Sequence, residues 1–153
     1  GSAGDTIWTF NFTVPDGNSG DATVFINGLD IAGNSNQTPS NNTFTIDNLK
    51  PVLASAEVND KTLVLTFTEV NGLNTESVPN QGTDFTVLVN GGNQNISFVA
   101  LGTNTVTLTL TGQGADNGDT ITISYTRGVD PIEDLAGNQA ANLVNQAVTN
   151  NTP

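Results

Sequence analysis

The segment Thr105-Val106-Thr107-Leu108-Thr109-Leu110-Thr111 alternates threonine with an aliphatic residue at every step. A period of two places Val106, Leu108 and Leu110 on one face of a strand and the threonines on the other. Threonine suits the outer face, because its branched Cβ packs well on a pleated surface. Residues 62–68 (TLVLTFT) repeat the pattern, with Leu63, Leu65 and Phe67 inward. Residues 6–14 (TIWTFNFTV) repeat it again, with Trp8, Phe10, Phe12 and Val14 on the expected core face. A helical stripe would need a period of 3.6, which these stretches lack.

Working outward, further strands are expected at 22–28, 43–46, 52–58, 85–89, 96–100, 120–125 and 143–149. A short helical turn is expected near 75–78. Asn90-Gly91-Gly92 carries the strongest hairpin-turn signal. The 23 threonines, 22 asparagines and 16 glycines fit many short strands joined by tight turns. About seven strands fall after Pro51, the spacing of a two-sheet sandwich. The fold class is therefore all-β, an immunoglobulin-like antiparallel β-sandwich.

The chain also repeats itself. Residues 8–13 parallel 106–111, Asp21 falls on Asp119, and Asp30-Ile31-Ala32-Gly33-Asn34 matches Asp134-Leu135-Ala136-Gly137-Asn138 in four positions of five. Asn48 and Pro51 then match Asn150 and Pro153. An ordered series of matches points to a repeat architecture. Residues 51–153 read as a complete module, and residues 1–50 as the last three strands of a related one, with Asp47-Asn48-Leu49-Lys50-Pro51 as the junction. A true small N-terminal domain is the alternative. Both ends of the sequence read as cut from a longer chain.

Charge excludes several functions. Fifteen acidic residues face three basic ones, a formal net charge of -12. Such a surface repels phosphate, which argues against nucleic-acid partners and anionic lipid. No apolar run approaches the length of a membrane-spanning helix. Cysteine, histidine and methionine are absent, which removes the usual soft-metal sites and nucleophilic triads. Paired carboxylates alone make a poor glycosidase, because sugar platforms are missing: Trp8 reads as core and Tyr125 ends a strand. No enzymatic activity is expected.

Hard divalent cations suit abundant carboxylate better. The loop Asp130-Pro131-Ile132-Glu133-Asp134-Leu135-Ala136-Gly137-Asn138 offers three carboxylates within five residues and an amide four further on. Calcium takes six to eight such oxygens in flexible geometry. The same residues also fit a second reading, in which Asp and Asn side chains simply close turns on the backbone. The candidate ligands are Asp130, Glu133, Asp134 and Asn138, with Asp30 and Asn34 in the matching loop. Glu69, at a strand end, is placed to reach the 130s loop or the junction at Asp47.

Pro51-Val52-Leu53 with Thr62-Leu63-Val64-Leu65, Val78 to Gly82 before Asp84-Phe85, Asn104 to Thr109, Asp134 to Asn138 and Asn145 to Pro153 together resemble the bacterial immunoglobulin-like repeats of large secreted adhesins and surface-layer-associated proteins. The second unit is similar to repeats of a cyanobacterial cell-surface protein needed for swimming. The resemblance implies a rod-like spacer or adhesive segment outside the bacterial cell, with neighbouring repeats of the same polypeptide as its first partners. It also implies calcium in loops and junctions. Family junctions often read Asp-Thr-x-x-Pro, whereas here Lys50 precedes the proline. Two other readings stay open. One is a glycan- or host-protein-binding module using loop residues such as Leu73, Leu101 and Ile132. The other is a homo-oligomer assembled through the half-module by strand exchange.

Overall fold

The structure is a computed structural model that describes residues 9–15, 17–37 and 41–153. The chain divides into two compact units, Gly1–Leu49 and Lys50–Pro153. Among the described residues every regular element is a strand, and none is a helix.

The first unit holds β1 (Gly20–Thr23) and β2 (Thr43–Ile46), an antiparallel pair running from Gly20↔Ile46 to Thr23↔Thr43. The strand expected at 6–14 does not form over its described part, residues 9–14, and Trp8 lies outside the described residues. Phe10 and Phe12 are exposed rather than core. The physical reason is a missing partner: no described residue of this unit is buried, so an alternating pattern has nothing to pack on. The strand expected at 22–28 is shorter and begins earlier, at Gly20.

The second unit holds β3 (Val52–Asn59), β4 (Thr62–Thr68), β5 (Phe85–Val89), β6 (Gly92–Gln94), β7 (Ile96–Leu101), β8 (Thr105–Leu110), β9 (Ile121–Tyr125) and β10 (Leu143–Asn150). Their order is β6-β5-β9-β10-β3-β4-β8-β7. Two antiparallel four-stranded layers, β6-β5-β9-β10 and β3-β4-β8-β7, are joined where β10 runs parallel to β3 at Thr149↔Glu57 and Asn150↔Val58. The arrangement is an all-β sandwich, as the alternation requires. The segment 75–78 is a turn without a helix.

Alternation decides which side chains meet. On β4, Leu63, Leu65 and Phe67 are buried; on β8, Val106, Leu108 and Leu110 are. The two strands pair from Thr62↔Thr109 to Thr66↔Thr105, which sets Leu63 beside Leu108 and Leu65 beside Val106. Val87, Ile121, Ile123 and Tyr125 supply the core from the other layer. The β5–β6 hairpin turns at Asn90 and Gly91, with φ of 50° and 81°. Positive φ at both central residues matches strand twist, which is why Asn-Gly serves here. Strand β6, only three residues long, begins at Gly92, which the sequence reads as turn, and runs through Asn93 and Gln94, where no strand is expected.

Candidate metal centre

Two loops at one end of the second unit are joined by hydrogen bonds. One follows β4 and the other precedes β10. Leu73 and Asp134 form an isolated antiparallel bridge. The Asn74 amide donates to the Glu133 carbonyl at 2.8 Å, and the Leu135 amide to the Gly72 carbonyl at 3.3 Å. The Ser77 hydroxyl donates to the Pro131 carbonyl at 2.7 Å. Leu73 and Ile132 pack into the core beneath. Gly72 (φ 84°) permits a close approach to Thr103, whose carbonyl accepts from the Leu73 amide at 2.6 Å.

This zipper brings Glu69 to Asp134. Both side chains are buried, and their carboxylates offer oxygens within 4.8 Å of each other. Asp134 is already well supplied with donors. Its Oδ1 accepts from the Ala136 amide at 2.9 Å and the Asn138 amide at 2.8 Å, and its Oδ2 from Asn138 Nδ2 at 2.8 Å. Glu69 Oε1 accepts from the Asn71 amide at 3.1 Å, while its backbone carbonyl accepts from Asn104 Nδ2 at 3.0 Å. The other amide atom, Asn104 Oδ1, is buried with no hydrogen-bond partner. An oxygen in that state is costly unless something supplies a positive charge or a proton.

The remaining expected ligands divide. Glu133 Oε1 accepts from Asn74 Nδ2 at 3.1 Å, so it serves the loop contact. Asp130 is exposed. Asn138 turns its amide nitrogen toward Asp134. Asp47 belongs to the first unit, where it accepts from the Ser19 hydroxyl at 3.2 Å and the Leu49 amide at 3.3 Å. Asp30 and Asn34 form a copy of the Asp134–Asn138 arrangement: the Asn34 amide and Nδ2 both donate to the Asp30 carboxylate at 2.8 Å. The side-chain bond from Asn34 and the backbone amides around it hold the Asp30 carboxyl below its ordinary value. In both loops, then, turn closure by Asp and Asn is realised. Glu69 with Asp134 is the acidic pair left for a cation, and the orphaned Asn104 oxygen at the same end fits that donor chemistry.

Sequence reasoning did not find Asn104. Its signal is faint: a polar residue between Thr103 and the cleanest strand, with nothing local to bond. Leu73 and Ile132, candidates of the alternative binding-module reading, are core residues, and Leu101 is partly buried against the core.

The fold and its loops define the class: a β-sandwich module built for repetition, with its irregular segments tied back on themselves. The chain belongs to the family described as "Putative flagellar system-associated repeat", which matches residues 46–130, more than half of the sequence. The expected resemblance to repeats of surface proteins thus holds. The crystal structure of the S-layer protein rSbsC(31-844) is similar in fold, with a TM-score of 0.54 and 21% sequence identity. The alignment covers 69% of this chain and 14% of that one. No curated protein matches the chain. Among the described residues no helix is long and apolar enough to cross a membrane.

Proposed function

We propose that this chain is a non-enzymatic spacer and adhesion segment of a multi-repeat bacterial surface protein, stiffened by calcium at the entry end of its second unit. Residues that would hold the ion are Glu69 and Asp134, with Asn104 Oδ1 as a neutral donor. The single observation that supports this reading is the burial of two carboxylates with oxygens within 4.8 Å. Like charges placed so close in a poorly solvated site repel, and a divalent ion reverses the sign of that interaction. Val52 pairs with Thr68, so the chain enters β3 beside the strand end that carries Glu69, which supports an entry-end position for the proposed site. An ion there would tie the loops at 69–77 and 130–138 together. Load on an array of modules is carried through such ends. The family match and the acidic composition fit an extracellular location, where a chain without cysteine needs packing or ions rather than disulfides for stability.

Calorimetry during calcium titration tests this. Calcium should raise the melting temperature by several degrees, and excess chelator should abolish the gain, because an ion binding only the folded form stabilises by mass action. Glu69→Gln should remove the response while leaving the chelated protein at least as stable as the parent. A parent protein indifferent to both calcium and chelator would refute the metal reading.

A further inference from the structure

The two units carry the same piece of structure, seen once with its partner strands and once without. The isolated bridge Glu133↔Gln139 of the second unit recurs as Leu29↔Ser35 in the first. The Asp134 amide donates to the Asn138 carbonyl at 3.1 Å, and the Asp30 amide to the Asn34 carbonyl at 2.9 Å. The Gly137 amide donates to the Asp134 carbonyl at 3.1 Å, and the Gly33 amide to the Asp30 carbonyl at 3.0 Å. Asn150 Nδ2 donates to the Asp116 carbonyl at 2.8 Å, and Asn48 Nδ2 to the Pro15 carbonyl at 2.9 Å. Strands β9 and β10 are antiparallel neighbours, as are β1 and β2.

The surroundings differ. In the second unit β9 is also paired with β5, from Phe85↔Tyr125 to Val89↔Ile121, and β10 with β3. In the first unit, among the described residues, β1 and β2 pair with each other alone. Among those residues both outer edges are unpaired, a template for another strand. The apolar side chains are uncovered as well: Phe12 is 84% exposed and Phe25 80%, with Phe10, Leu29 and Phe44 also open. Five large apolar side chains left open in one short unit are what a covering partner would bury.

We infer that the first unit is the second half of a repeat and receives, on its open edges and exposed apolar side chains, the first half of a repeat: a segment patterned like β3 to β7, joined upstream in the same polypeptide. The interface is continuous in kind with one already visible, since β9 and β10 show what such strands pack on. A second copy of this chain is the wrong occupant by stoichiometry. Each chain carries two second halves and one first half, so dimerisation always leaves a second half uncovered. The inference stands apart from the calcium reading.

The test fuses an additional copy of residues 51–104 directly ahead of Ile7 in the otherwise intact chain. A control carries the same segment with its strand residues scrambled. Hydrogen exchange is read at Gly20–Thr23 and Thr43–Ile46. The native segment should slow exchange there by about 100-fold or more, as expected when a frayed pair joins a cooperative core. The scrambled segment should leave it unchanged. Exchange that stays fast with the native segment, or that slows equally with both, overturns the inference.

Discussion

Tyr125 shows how much one side chain can organise. Its hydroxyl oxygen accepts the Ile132 amide at 2.7 Å, and its ring lies 5.2 Å from that of Phe85. The strand end is thereby tied to the loop that leads to Asp134. Burial, above all, pushes the phenol above its ordinary value. Tyr125→Phe keeps the packing and orphans a buried amide, so chemical denaturation should show a loss of about 1–3 kcal/mol. Asp119 is the polar counterpart. It accepts the Asp116 amide at 2.8 Å and Asn90 Nδ2 at 2.6 Å, joining two turns. These bonds, the backbone one first, hold its carboxyl below the ordinary 3.8. A lowered folded value means that the ionised form is favoured by folding. Its contribution is therefore complete above pH 3.8 and is lost as pH falls through the lowered value. Acid titration followed by NMR should show the Asn90 side-chain amide signal moving with Asp119 in that window, and Asp119→Asn should abolish the movement. Gly128 marks a different constraint. A Cβ there would meet the buried Asp84 carboxylate, whose oxygens hold the Asn80 amide and the Thr83 hydroxyl. No backbone signal marks this requirement, so it could not be read along the chain.

At the scale of elements, the pairing of β4 with β8 carries the core. Leu65 is fully buried and lies beside Val106 in the ladder. Leu65→Ala should cost about 2–5 kcal/mol, measured by denaturant unfolding, through lost transfer energy and a residual cavity. The exposed Val52 is a matched control expected to change little. The turn of β3 and β4 depends on a neighbour. The Ala115 amide donates to the Asp60 carbonyl at 2.9 Å, and Gly114 (φ 81°) lies so close that a Cβ would meet Asp60 and Lys61. Gly114→Ala combines strain with collision, and its melting temperature should fall by several degrees. Strands with a clean period of two were legible as elements, because alternation and burial are the same fact seen twice. Strand β6 was not. Its residues Gly92, Asn93 and Gln94 have no strand propensity, and they are extended because β5 offers an edge at Val87, Leu88 and Val89.

For the whole molecule, the division at Leu49 and Lys50 separates a sandwich with a core from a segment of whose described residues none is buried. Amides of β4 and β8 should therefore exchange only on global unfolding of the second unit. Those of β1 and β2 should exchange far faster in the same sample, as hydrogen exchange read by mass spectrometry would show. What the sequence determined by itself was the β class, the repeat and the acidic character, with turn closure by Asp and Asn as one of two readings of the 130s loop. Each is a local or periodic property: alternation fixes faces, and a short polar side chain closes a turn on its own neighbours. Only the tertiary structure decided that Glu69 meets Asp134 across a two-loop zipper, that Asn104 keeps a buried free oxygen, and that Leu73 and Ile132 point inward. It also decided that the apolar face of Phe10 and Phe12 stays uncovered. These outcomes depend on which distant strand arrives alongside, and in the first unit, among the described residues, no strand covers that face.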